Sequence, residues 1–245
     1  EAAKSMKKMQ LEMGSKNPLV VMDDADLNIA VACATNGAYG GTGQKCTASS
    51  RLIVHEKVYK EFTEKLIESI SALKVGHALE EGSQMGPVSS ETQLQSNLDY
   101  IEVGKKEAKL AYGGNPMNMR TPGYYMEPTL FIDGDNKSTI NQEEMFGPIA
   151  CVIPVKSYEE GLEVANDTIF GLSSGIVTQS LSKAADFKKN IKTGVTTVNL
   201  PTAGLDYHVP FGGRKASSFG PREQGTYAHE FYTHVKTTYV SPGKI

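Results

Sequence analysis

Ala150-Cys151-Val152-Ile153-Pro154-Val155 is a short apolar run rich in β-branched residues, and Ser157-Tyr158-Glu159-Glu160 follows it at once. The first reads as a strand. The second is a capping box, in which Ser157 and Glu160 open a helix. Ser173 to Thr178 is a second strand, Leu181 to Ile191 a second helix, and Val195 to Val198 a third strand. Three strands alternating with two helices through short loops imply parallel pairing with right-handed crossovers. The expected fold is α/β, a mostly parallel sheet flanked by helices.

The pattern continues upstream. Leu19-Val20-Val21-Met22 is an apolar strand, and Asp23 to Asp26 can cap a helix near Leu27 to Tyr39. Apolar residues run nearly all round that helix, so burial on every side is expected. Gly40-Gly41-Thr42-Gly43 ends it. Arg51 to Val54 reads as a strand, and Val58, Phe62, Leu66, Ile70 and Leu73 form the stripe of an amphipathic helix. Gly86-Pro87 leads to a helix near Thr92 to Glu107, and Ala111 to Met126 is turn-rich. Glu1 to Glu12 is made of helix formers, with Met6, Met9 and Met13 at helical spacing and no capping signal in front. Downstream, Pro201 to Arg222 is a long Gly- and Pro-rich segment of the kind that usually carries function. Phe231 to Val240 is β-rich and reads as an edge strand.

At 245 residues the chain is one large domain or two small ones, long enough to fold without disulfides or a structural metal. Hydrophobic residues make up 39% and charged residues 22%, which excludes disorder, collagen and coiled coil. The net charge of −3 offers no positive field for a phosphate backbone, so no nucleic-acid partner is expected. There is no apolar run of membrane-spanning length, and Glu1 to Lys8 carries no secretory h-region. These features point to a cytoplasmic protein with no membrane partner.

The three cysteines differ in setting. Cys33 lies in Ile29-Ala30-Val31-Ala32-Cys33-Ala34 and Cys151 in an apolar strand, so both read as core. Cys46 sits in Gly43-Gln44-Lys45-Cys46-Thr47-Ala48-Ser49-Ser50, a polar, Gly-bounded setting that suits a nucleophile as well as a loop thiol. Lys45, or a helix N-terminus, would raise its thiolate fraction. No metal site is expected, because there is no Cys-x-x-Cys and His229 and His234 lie five apart, off the register of one helix face. Gly40-Gly41-x-Gly43 does not follow a strand and open a helix, and Pro210 to Lys215 lacks a P-loop ending. Glycine spacing alone therefore gives turns rather than phosphate sites.

Four segments, taken together, resemble the aldehyde dehydrogenase superfamily. They are Leu11-Glu12-Met13-Gly14-Ser15-Lys16-Asn17-Pro18, Gly43-Gln44-Lys45-Cys46-Thr47, Glu144-Met145-Phe146-Gly147-Pro148, and Pro210-Phe211-Gly212-Gly213-Arg214-Lys215. Their order and intervals match the family, and the resemblance covers the whole chain. Asn199 to Gly204 and Ser217-Ser218-Phe219-Gly220-Pro221-Arg222-Glu223-Gln224-Gly225 look most like the branch that oxidises α-ketoglutaric semialdehyde (2,5-dioxopentanoate). Ser218 stands where most of the superfamily has Gly, a departure that fits that branch.

The resemblance implies oxidation of an aldehyde to a carboxylate with NAD or NADP, the aldehyde being a semialdehyde that bears a carboxylate. Cys46 resembles the nucleophile that forms a thiohemiacetal and then a thioester, and Glu12 the base that activates water. Glu144 resembles the acceptor for the nicotinamide-ribose hydroxyls and Phe146 the ring beside the nicotinamide. Phe211 resembles a wall of the substrate tunnel, and His208, the only basic residue between Leu200 and Val209, could meet a substrate carboxylate. Residues 1–14 would be a stub of the cofactor-binding domain, 15–225 the catalytic domain, and 226–245 a C-terminal segment returning to the cofactor and oligomerisation region of a homo-oligomer. The rest of the cofactor domain, and the side-chain amide of the oxyanion hole, would lie upstream of Glu1. Two other readings stay open on the residues alone. One is a cofactor-independent thiol hydrolase or acyltransferase, and the other a non-catalytic binding module.

Overall fold

Leu19, Val20 and Val21 are all completely buried, as a strand covered on both faces must be. They lie in β2 (Asn17–Val21), an interior strand of a seven-stranded sheet in the computed structural model, which describes residues 1–243. In chain order the elements begin with β1 (Leu11–Glu12), β2, α1 (Leu27–Tyr39), β3 (Ser49–His55), α2 (Glu56–Ser71) and α3 (Glu91–Glu107). Then come β4 (Lys109–Tyr112), β5 (Pro116–Met117), β6 (Tyr125–Met126), β7 (Thr129–Ile132), α4 (Thr139–Gln142) and β8 (Ile149–Val155). The last are α5 (Tyr158–Asn166), β9 (Ser173–Val177), α6 (Leu181–Asn190), β10 (Val195–Val198), β11 (Ser218–Phe219) and α7 (Ala228–Tyr232). The main sheet runs β10-β9-β2-β3-β8-β7-β4, parallel throughout except for β4 at its edge.

Side chains alternate between two cores. Leu19, Val21, Leu52, Val54 and Val152 face α1 and α2, where Ala34, Phe62, Leu66 and Ile70 meet them. Val20, Ile53, Ile153 and Ile176 face the opposite side, against Ala165 of α5 and Phe187 of α6. Each large aliphatic or aromatic side chain so buried contributes about 1.5–3 kcal/mol, more than a typical helix cap near 1 kcal/mol, so the two faces fix where the helices lie. The caps fix where they begin. Asp26 Oδ1 accepts from the N–H of Asn28 at 2.9 Å, and Ser157 Oγ from that of Glu160 at 3.1 Å. The Glu160 carboxylate reaches back to the Lys156 N–H, one residue earlier than a standard box.

Three expectations need correction. Glu1 to Glu12 is not a helix. Ala2–Ser5 forms one 3-10 turn, and Leu11 and Glu12 pair antiparallel with Phe219 and Ser218. Helix propensity yields there to pairing with a strand some two hundred residues away. α1 is buried on one face rather than all round: Ala30, Cys33 and Ala34 are enclosed, whereas Ile29 is exposed. The C-terminal run does not form an edge strand. Phe231 and Tyr232 belong to α7, and residues 233–243 take no regular structure in the single chain, with Val235, Tyr239 and Val240 exposed. Within the turn-rich stretch, β5 and β6 form a small two-stranded sheet. Among the described residues no helix is long and apolar enough to cross a membrane.

The candidate residues share one end of the sheet's interior strands. Glu12 and Ser15 precede β2, Cys46 precedes β3, and Glu144 and Phe146 precede β8. Because β2, β3 and β8 run parallel, all lie at the amino ends of their strands. Open α/β sheets usually bind ligands at the carboxyl ends.

Candidate active site

Asn17 organises the turn that carries Cys46. Its side chain is buried, and Nδ2 donates to the carbonyls of Cys46 and Ala48, both at 2.8 Å. Its Oδ1 accepts from Ser15 Oγ at 2.7 Å and from the Ser173 N–H at 3.0 Å. Thr202 Oγ1 donates to the carbonyl between those two, that of Thr47, at 2.7 Å. A hydroxyl has one proton, so the Ser49 hydroxyl donates to Thr202 in turn. Three successive carbonyls are thus held by side chains from β2 and from the loop after β10. Orphaning one such buried group costs about 1–3 kcal/mol, so the turn has little freedom to slide.

Glu144 is fixed on the other side of the site. Its Oε1 accepts from the Ser15 N–H at 2.9 Å, while among the described residues no donor reaches Oε2. The carboxylate rests on Gly14, where a Cβ would lie 2.2 Å from Oε2, so a side chain there would displace the carboxylate from this position. Burial raises the Glu144 carboxyl, and the Ser15 N–H and nearby Lys16 pull it back in part. Phe146 follows with a left-handed backbone, φ 53°, and a partly exposed ring. Glu144, Phe146 and Lys45 line one narrow cavity beside the Cys46 turn.

Glu12 is half-buried and is paired with Ser218 across β1 and β11. Ser218 Oγ donates to Glu12 Oε2 at 2.8 Å. Burial raises the Glu12 carboxyl above the ordinary carboxylate range. The Ser218 hydroxyl opposes the rise, Glu223 adds to it, and Arg222 opposes it. A carboxyl moved toward neutrality is a better proton acceptor at working pH.

Cys46 is half-buried, whereas Cys33 and Cys151 are in the core, as their sequence setting implied. Burial pushes the Cys46 thiol up, and the carboxylates of Glu12 and Glu144 push it the same way. The N–H groups of Cys46 and Thr47 oppose them. The expectation that Lys45 or a helix end lowers this thiol is therefore corrected. Lys45 is exposed and folds back over Gly41, and Cys46 sits in a turn rather than at a helix start. The same electrostatics show that Cys46, Glu12 and Glu144 form one neighbourhood.

Phe211 is half-buried and bridges to Glu223 through two backbone hydrogen bonds of 2.8 Å. His208 is exposed, edge-on to Tyr207 with ring centres 5.6 Å apart, and among the described residues no hydrogen bond links it to Cys46, Glu12 or Glu144. Asn17, Thr202 and Ser15 were not singled out from sequence, although Asn17 and Ser15 lie in the same segment as Glu12. Among the described residues no three His, Cys, Asp or Glu side chains cluster as a metal site.

A half-buried thiol faced by two backbone N–H groups, two nearby carboxylates that each keep one free oxygen, and a narrow cavity beside the Cys46 turn can support covalent addition to a carbonyl followed by attack of water. The comparisons with known proteins agree in class. Residues 1–238 match the aldehyde dehydrogenase family. The chain is 44% identical over 238 residues to an alpha-ketoglutaric semialdehyde dehydrogenase of Bacillus subtilis, covering 96% of this chain and 49% of that protein. It is 41% identical over 236 residues to a 2,5-dioxopentanoate dehydrogenase of Saccharolobus solfataricus, again 96% of this chain and 49% of the relative. A solved NAD+ complex of an aldehyde dehydrogenase from Bacillus cereus superposes with a TM-score of 0.93 at 37% identity, over 99% of this chain and 49% of that one. The chain spans about half the length of these relatives, and it belongs to the aldehyde dehydrogenase family.

Proposed function

We propose that this chain is the catalytic half of an enzyme that oxidises an aldehyde, a semialdehyde bearing a carboxylate, to a carboxylic acid with NAD or NADP. The observation that carries the proposal is the convergence of Cys46, Glu12 and Glu144 at the amino ends of adjacent parallel strands, where both carboxylates act on the thiol. The semialdehyde assignment draws on the two relatives named for that substrate. On the same reading residues 1–14 and 226–245 belong with the cofactor and oligomerisation regions of a homo-oligomer.

Cys46 Sγ adds as thiolate to the aldehyde carbon and gives a tetrahedral thiohemiacetal, whose oxyanion the Cys46 N–H would meet. A nicotinamide cofactor, when bound, would supply the acceptor for the hydride that this carbon must lose to become the thioester. The Glu144 site fits such a group, because one carboxylate oxygen is tied to Ser15 and the other is free to accept from a ribose hydroxyl. Phe146 and Glu144 would hold and orient it. Glu12 then takes a proton from water as the water oxygen adds to the acyl carbon, and collapse expels the Cys46 thiolate and leaves the carboxylic acid. A positioned base of this kind contributes about 10²–10⁴ in rate. Phe211 and His208 are assigned to the substrate side. A hydrolase in which histidine activates Cys46 lacks support, since among the described residues no histidine is hydrogen-bonded to that cysteine.

The test joins the chain to the additional half that its relatives have and follows reduced cofactor with 2,5-dioxopentanoate and a neutral aldehyde of equal length. The expected result is turnover that Cys46→Ala abolishes, with kcat/KM favouring the carboxylate-bearing aldehyde. Turnover that survives Cys46→Ala overturns the reaction, and equal kcat/KM for the two aldehydes overturns the substrate class.

A further inference from the structure

Adjacent serines hold Glu12 from two directions. Ser217 fixes the backbone around it: its hydroxyl donates to the Gly14 carbonyl at 2.9 Å and accepts from the Gly171 N–H at 2.9 Å, and its carbonyl accepts from the Met13 N–H at 2.9 Å. Ser218 holds the side chain. Its Oγ accepts from the Gly213 N–H at 2.6 Å and donates to Glu12 Oε2 at 2.8 Å. A serine hydroxyl has one proton and two lone pairs. With the Gly213 N–H on a lone pair, the proton is directed to the carboxylate. Among the described residues no donor reaches Glu12 Oε1. One oxygen is therefore held and the other is open to take a proton.

Resting on the reading of Glu12 as the base for water, we propose that Ser218 is a positioning residue for that base. It docks Oε2 on a hydroxyl oriented by the main chain and leaves Oε1 for water. Replacing Ser218 by alanine removes the donor and also the acceptor of the Gly213 N–H, but the bonds of Ser217 to Gly14, Gly171 and Met13 remain, so the β1–β11 pairing persists while the carboxylate is released.

A hydroxyl that donates to a carboxylate favours its ionised form. The other groups acting on Glu12 are Glu223, which disfavours ionisation, and Arg222, which favours it, together with burial. The Cys46 thiol feels both Glu12 and Glu144. Loss of the Ser218 hydroxyl moves Glu12 further up, so the acid limb of water attack moves to higher pH.

The experiment measures hydrolysis of the acyl-enzyme against pH in the chain joined to the additional half of its relatives, for Ser218→Ala, Ser218→Thr and Glu12→Gln. Ser218→Ala should shift the acid limb upward by on the order of one pH unit and leave the burst of reduced cofactor intact. Ser218→Thr, which keeps a hydroxyl, should restore the original profile. A Ser218→Ala profile that overlays the unsubstituted one overturns the proposal. So does a Ser218→Thr protein as impaired as Ser218→Ala, since the site would then depend on serine packing. Glu12→Gln separates the two levels of the argument. If it leaves hydrolysis unchanged, the reading of Glu12 falls and the proposal with it. If it slows hydrolysis while Ser218→Ala changes nothing, only the role of Ser218 falls.

Discussion

Gly43 lies against the carbonyl of Gly147, so close that a Cβ on Gly43 would stand 2.1 Å from that oxygen. The contact brings the turn carrying Cys46 onto the turn carrying Glu144 and Phe146. Gly43 also has φ +65°, in the left-handed region. Gly43→Ala therefore meets both a backbone penalty of about 1–2 kcal/mol and a steric clash. We expect a lowered midpoint of urea unfolding together with an altered rate of Cys46 alkylation. An unchanged midpoint would mean that the two turns are not packed as described.

Cys46 should react with iodoacetamide before Cys33 or Cys151, because those two are enclosed in the core. The carboxylates also set the direction of a charge effect. Burial comes first among the causes that raise this thiol, followed by Glu12 and Glu144. Removing either charge lowers the thiol and increases the thiolate fraction near neutrality. Glu12→Gln and Glu144→Gln should each speed Cys46 labelling at pH 7, read by mass mapping of timed reactions. Unchanged labelling in both variants would place the carboxylates away from the thiol.

Lys16 is completely buried, and among the described residues its Nζ has no hydrogen-bond partner. Burial, with the Arg51 guanidinium adding to it, takes its ammonium down to about 7. The unfolded chain keeps that proton until about pH 10.4. Between those limits the unfolded state binds more protons, so this group makes stability rise with pH, and below pH 7 its burial penalty is felt in full. Lys16→Met removes the group. Its gain in unfolding free energy over the unsubstituted chain should be largest below pH 7 and shrink toward pH 10. A difference that stays constant from pH 6 to 9.5 would contradict this.

Most of the sheet was legible because strands covered on both faces must be apolar and helices lying on them must carry a stripe. Leu19 to Met22 and Val58 to Leu73 show this, and the Asp26 and Ser157 caps mark helix starts locally. β7 does not stand out in the sequence, because Thr129–Ile132 directly follows a turn-rich stretch with no start signal between them. The conformation of Leu11 and Glu12 is set by Ser218 and Phe219, which local propensity does not register. The C-terminal run reads as a strand from its composition, but it has no strand beside it in the single chain. Of the site, Cys46 stood out by its polar, Gly-bounded setting. The parts that hold it (Asn17, Thr202 and Gly43) act across the fold, and nothing near them in the sequence announces the contact.

The central claim is that Glu12 activates water after Cys46 has been acylated. The measurement is rapid-quench kinetics with intact-protein mass spectrometry on Glu12→Gln, in the chain joined to the additional half of its relatives. The account predicts a burst of reduced cofactor close to one per active site, then turnover slowed about 10²–10⁴-fold, with the thioester visible as a mass adduct on Cys46. Near-normal turnover with no adduct would contradict it. Loss of the burst together with turnover would also contradict it, by assigning Glu12 to the thiol rather than to water.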